Sequence, residues 1–281
     1  MDRVGNLSPT DPPALRPFTK INLVEGWSFK QVDDYESGTG WLPVNKVPSM
    51  VHQDLIDNQK LCDSFIGLNE IKAEWLSVPS GDLRCNSRII LAFDGLDTLA
   101  HVRLDGETVL KSNNMFRSYR ADVTDIVKKK SEDHKFYLDV ELDCAFLKAR
   151  EIELAHPEHR WITFNGEPAR MALRKAQYHW GWDWGPRLMP SGIWKPVRLE
   201  IYSARIVDVR VDVDISPDYE TAFVRASAEI ESETIDFEVK FFVRRDGKTI
   251  AFSAGNVENG TYFATTLDIV QPALWMPAGY G

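Results

Sequence analysis

Over most of its length the chain alternates apolar and polar residues with a period of two. This is the pattern of strands that bury one face and wet the other. In "KFYLDVEL", Phe136, Leu138 and Val140 point one way, and Tyr137, Asp139 and Glu141 point the other. "IVDVRVDVDI" places Val207, Val209, Val211, Val213 and Ile215 on one face, with Asp208, Arg210, Asp212 and Asp214 opposite. It predicts a strand with one buried face. "RIILAFDGLDTLAHVRLDGETVL" holds two β-rich runs and a third beyond Asp105-Gly106, a hairpin signal. Further runs lie at 221–231, 235–244, 248–252 and 261–269, with Asp246-Gly247 and Asn259-Gly260 as turn signals. Helices are few. One is expected over Ala145–Ala155, stopped by Pro157, and one after Ser49, whose side chain would cap "MVHQDLI".

The strict alternation sets in after Tyr202, so a domain boundary is expected there. Residues 1–17 are a polar, proline-rich tail, residues 18–202 a first β domain, and residues 203–281 a second. The second shows five strands, where an immunoglobulin-like sandwich needs about seven. It is therefore expected to be an incomplete sandwich. The fold class is mainly β.

Composition excludes several functions. The net charge is −9, and the basic run Lys128-Lys129-Lys130 gives way at once to Glu132 and Asp133. No nucleic-acid partner is expected of such a surface. No segment reaches the ~20 apolar residues of a membrane span, and the first residues lack the apolar stretch of a secretory signal. Cys62, Cys85 and Cys144 form no C-x-x-C pair, so neither a disulfide framework nor a zinc site is indicated, and the expected location is cytoplasmic. There is no G-x-S-x-G, Walker or G-x-G-x-x-G sequence, and no cofactor is expected.

Two stretches carry candidate chemistry. His156-Pro157-Glu158-His159 offers two imidazoles and a carboxylate. Ligation at such spacing usually uses a regular helix, which Pro157 opposes, so a surface loop without a metal is expected. "HWGWDWGPR", residues 179–187, sets Trp180, Trp182 and Trp184 around Asp183. As a strand it would be a core aromatic ladder with Asp183 facing away. Two glycines and Pro186 favour a loop, which aims indole and carboxylate at one point. Indole faces stack on the C–H faces of a pyranose, and a carboxylate accepts bonds from its hydroxyls. Core packing and sugar recognition both fit the residues.

"RKAQYHWGWDWGPRLMPSGIWKPVRLEIY", residues 174–202, closely resembles a signature of β-mannosidases in glycoside hydrolase family 2. "VPSMVHQDLI", "FIGLNE", "LAFDGLDTLAHVRLDG", "NNMFRSYRADVT", "HPEHRWITFNG" and the closing "LWMPAGYG" agree in order. The resemblance implies a galactose-binding-like jelly roll, then an immunoglobulin-like sandwich, then a catalytic (β/α)₈ barrel. It implies that the loop of Trp182, Asp183 and Trp184 helps bind a terminal mannose of β-mannosides or mannooligosaccharides. Arg174 is expected to hold this loop by pairing with a carboxylate that the sequence does not identify. The chain ends where the barrel would begin, so both catalytic glutamates are expected to be absent, and the chain alone is expected not to hydrolyse. The missing barrel is then its expected partner. An aromatic strand usual in the family just after the position of Trp75 is not seen, since "LSVPSGDLRCN" leads straight to Ile89. Two alternatives stand beside this reading: a free-standing lectin-like module, and a sandwich that mediates protein contacts.

Overall fold

The structure, a computed structural model, describes residues 18–30, 40–60, 69–74, 87–130, 134–164, 166–183, 187–232, 238–257 and 261–280. It divides into two compact units, one spanning Thr19–Ile201 and one that includes Tyr202–Gly281. The strands run, in chain order, β1 (Phe18–Asn22), β2 (Trp27–Lys30), β3 (Leu42–Pro43), β4 (Asn69–Glu74), β5 (Arg88–Phe93), β6 (Leu99–Leu104), β7 (Glu107–Asn113) and β8 (Tyr119–Asp122). They continue with β9 (Tyr137–Leu142), β10 (Val197–Tyr202), β11 (Ala204–Ile215), β12 (Thr221–Ser232), β13 (Glu238–Arg245), β14 (Lys248–Asn256) and β15 (Tyr262–Val270). Three α-helices, α1 (Val51–Asp57), α2 (Thr124–Lys128) and α3 (Ala145–Ala155), and two 3₁₀ turns, Pro168–Ala172 and Gln177–Trp180, complete the described elements. No helix among the described residues is long and apolar enough to cross a membrane.

The first unit has a four-stranded sheet, β1-β10-β5-β8, and a six-stranded one, β3-β2-β4-β9-β6-β7. Trp27, Phe29, Leu91, Val102, Val140 and Leu199 are among the residues of one contiguous core. On β9 the alternation is realised as written, with Leu138 and Val140 buried and Tyr137 exposed. All of β5 beyond Arg88 is buried, the pattern of a strand covered on both faces. The β6–β7 hairpin turns through Asp105 at φ 50° and Gly106 at φ 82°, and the β13–β14 hairpin through Asp246 at φ 49° and Gly247 at φ 75°. Paired positive φ values are what the tight primed turns require, and Asp-Gly supplies them at low cost.

One local expectation is corrected. Ser49 does not cap α1: the cap position is Met50, in extended conformation and without a side-chain bond. The Ser49 hydroxyl instead donates to the buried Asp54 carboxyl at 2.5 Å. Burial pushes Asp54 up to about 6, Asp57 adds to that, and the Ser49 bond opposes it. The aromatic strand sought after Trp75 falls on residues 75–86, outside the described residues, as do Asn259 and Gly260.

The second unit has a three-stranded sheet, β11-β12-β15, and a two-stranded sheet, β13-β14. β11 departs from expectation in two ways. A bulge between Ile206 and Asp208 resets the pairing, so that Ile206 lies opposite Ile230 and Val209 opposite Ala228. Val207 is the extra residue of the bulge, and Ile206 takes its place on the apolar face. That face is also open. Val209, Val211, Val213 and Ile215 are all exposed, although their β12 partners Ala228, Ala226, Val224 and Ala222 are buried. The small core of this unit gathers Ala228, Ile230 and Val257, with Val239, Phe241 and Phe263 against it. Two strands are too narrow to roof three, and β11 is the strand left over. A cleft of about 650 Å³ remains, with Val211, Val213, Ile250 and Trp275 among its walls.

Candidate functional site

The described part of the tryptophan stretch, residues 179–183, is not a strand. Residues Gln177–Trp180 form a 3₁₀ turn that ends at Gly181, with φ 76° and ψ −179°. A Cβ at that φ is strained, so glycine is the residue that lets the chain reverse there. The reversal separates the tryptophans. Trp180 is only 2% exposed. It packs with Ala149, Ala169 and Leu173, and its ring centroid lies 6.1 Å from that of Phe146 on α3. Trp182 is 40% exposed, and Asp183 beside it is exposed. Trp184 lies outside the described residues. Core packing and outward presentation are thus both realised, by different tryptophans.

The base of this loop is fastened at both ends. The buried Lys175 ammonium donates to Asp97 Oδ1 and to the Pro190 carbonyl, each at 2.6 Å. Lys175 precedes the loop and Pro190 follows it, so one cation draws the ends together. Arg187 lies over the Phe146 ring at 5.1 Å and Arg150 at 4.6 Å, and Arg150 also pairs with Glu167 at 2.8 Å. Phe146 therefore receives Trp180 from one end of the loop and Arg187 from the other.

Asp97 is itself held by backbone. Its N–H donates to the Gly192 carbonyl at 2.9 Å, and the Gly192 N–H returns a bond to its carbonyl at 3.2 Å. The Thr98 hydroxyl donates to its carboxylate. Gly192 is required for close approach, because a Cβ there would lie 2.6 Å from the Ser49 carbonyl oxygen. The electrostatics follow from burial. Desolvation pulls Lys175 below the usual lysine range, against the pull of Asp97. His179 Nδ1 lies 3.9 Å from Asp97 Oδ2, and neither atom has a hydrogen-bond partner among the described residues. Burial, then the Lys175 charge, push His179 down to about 4 despite Asp97. The same two causes lower His52.

Arg174 is exposed, and no carboxylate among the described residues pairs with it. Its carbonyl accepts the Met115 N–H at 3.0 Å, and the buried ion pair of the segment falls one residue on, at Lys175. Lys175 and Asp97 escaped the sequence reading because their separation of 78 positions leaves no local spacing to notice. The available hint was a lysine entering an otherwise aromatic stretch. His156, Glu158 and His159, at the end of α3, are brought together by the fold, with ligand atoms within 4.8 Å of one another.

Comparison with known proteins places these features. Residues 27–195 match the family described as "Glycosyl hydrolase 2 galactose-binding domain-like". The chain is 44% identical over 276 residues to Beta-mannosidase B of Aspergillus terreus, covering 95% of this chain and 32% of that protein. To Beta-mannosidase B of Emericella nidulans it is 46% identical over 279 residues, covering 94% and 32%. Among solved structures, a β-D-mannosidase from Dictyoglomus thermophilum superposes with a TM-score of 0.77 at 28% identity, covering 94% of this chain and 33% of that one. The chain thus spans about a third of the length of the curated relatives it matches.

Proposed function

Because this chain belongs to the glycosyl hydrolase 2 galactose-binding domain-like family, we propose that it is the amino-terminal part of a retaining β-mannosidase and supplies one wall of the pocket for a terminal β-mannose. The carrying observation is the contrast within the tryptophan loop: Trp180 is an anchor, while Trp182 and Asp183 stand exposed on a base fastened by Lys175 and Phe146. In our reading Asp183 accepts from sugar hydroxyls, and the indole of Trp182 or Trp184 takes a sugar face. Rigid support at the base keeps the ordering cost low when the sugar binds. We read residues 18–202 as the jelly roll and 203–281 as an immunoglobulin-like sandwich.

The chemistry of retention needs an acid/base and a nucleophile carboxyl ~5–5.5 Å apart. We assign neither to this chain, and the chain by itself should leave an aryl β-mannoside unhydrolysed. In the full-length protein, Asp183→Ala should lower kcat/KM for that substrate about 10- to 150-fold, the value of a charged hydrogen bond, and leave the melting temperature unchanged. Asp183→Asn, which keeps the shape and removes the charge, should fall between. Unchanged kinetics together with a lowered melting temperature would make the loop scaffold and end this reading.

A further inference from the structure

The sequence gives a reason against a metal at His156-Pro157-Glu158-His159, namely that proline forbids the helix such a site usually uses. The structure turns that reason round. The His159 N–H donates to the His156 carbonyl at 3.1 Å, which closes a four-residue turn with Pro157 in its second position. Proline is favoured at that position because its fixed φ is the one the turn needs. The turn brings residues 156 and 159 together as a helix would. The two imidazoles stack with centroids 5.6 Å apart.

Glu158 reaches towards a nitrogen of each ring. Its Oε1 is 2.9 Å from His156 Nδ1 and 4.0 Å from His159 Nε2. Ligands bound tetrahedrally to zinc at ~2.0–2.1 Å stand roughly 3.3–3.4 Å apart, and these two distances bracket that spacing. All three ligand atoms lie within 4.8 Å of one another, so the side chains close by at most about 1.4 Å to meet it. The turn is also braced from outside. Trp161 donates its indole N–H to the His156 carbonyl at 3.1 Å, and the edge-on ring contact between His159 and Trp161 is 5.3 Å. The donor set is imidazole, imidazole and carboxylate, which suits zinc and its neighbours among divalent first-row metals rather than calcium or magnesium. All three residues are exposed, so water has access to the remaining coordination positions.

We propose that His156, Glu158 and His159 form a three-ligand surface site for a zinc-type divalent cation, completed by water. The site closes the carboxyl end of α3, and a cation that binds only the folded turn stabilises the fold by linkage.

The test uses the whole purified chain, first stripped with a chelator. Titration calorimetry with Zn²⁺ should show one equivalent bound, and Zn²⁺ should raise the melting temperature. His156→Ala and His159→Ala should each weaken binding at least about tenfold, the lower end of what losing even an outer partner costs a zinc site. His159→Gln, which preserves size and polarity, should lose as much as His159→Ala. The double variant should bind nothing and show no thermal shift, and His134→Ala should behave as the parent. Far-ultraviolet circular dichroism should be the same for the His156 and His159 variants as for the parent, since those side chains are exposed. Absence of binding up to millimolar Zn²⁺ overturns the proposal, as does binding that survives loss of both histidines.

Discussion

β9 and β11 carry the same written pattern and meet different fates. On β9, Val140 is fully buried between the two sheets of the first unit. On β11, Val211 is 56% exposed, although it sits opposite the buried Ala226. Alternation specifies which face is apolar, through the pleat. Whether that face is covered depends on how many strands the opposing sheet brings. Six strands face four in the first unit, and two face three in the second.

The largest expected effect breaks the comparison directly. Val140→Asp places an unpaired charge in the closed core and should cost more than about 4 kcal/mol in urea unfolding, while Val211→Asp should stay within about 0.5 kcal/mol. Equal losses would mean that the β11 stripe is covered after all. Next, Lys175→Met leaves the Asp97 carboxylate buried without its cation and should cost about 3–5 kcal/mol. Adding Asp97→Asn should recover most of this, and a double-mutant cycle measures the coupling.

Gly192→Ala tests packing without charge. The new Cβ meets backbone rather than a movable side chain, so a loss of about 1–3 kcal/mol is expected from chemical denaturation. The smallest effect is the pH dependence. His179 is held at about 4 in the folded chain against 6.5 ordinarily, so the unfolded chain binds more protons between those values. The contribution is fully present above about pH 6.5 and is lost as the pH falls towards 4. His179→Gln should flatten that limb of the stability curve. Asp54, raised to about 6, slopes the other way, losing stability as the pH rises to 6, so the comparison with the parent is the informative one.

The sequence made local structure legible where one neighbour decides it. The Asp-Gly hairpins and the span of α3 are set by backbone preferences within a few residues. It failed where partners are distant or compete. Ser49 sits where a cap is expected, but Asp54 takes its hydroxyl. The bulge at Val207 is invisible in a string of perfect alternation, since it is fixed by pairing with β12. In the candidate site, "WGWDW" announced aromatic surface around a carboxylate. Only the positive φ of Gly181 separates the tryptophan that plugs the core from the one that faces out. Lys175, which fastens the loop, needed the third dimension.

The open face of β11 bears on colloidal behaviour. Among the described residues β11 is an edge strand, with one side unpaired in its sheet and a row of branched apolar residues on one face. Such a strand is a template for stacking between molecules. Its other face carries Asp208, Arg210, Asp212 and Asp214. Parallel stacking in register would set each aspartate on its own copy, and the like charges would repel. Alternation that fails to bury one face of this strand thus supplies, through its other face, a gatekeeper against fibre growth.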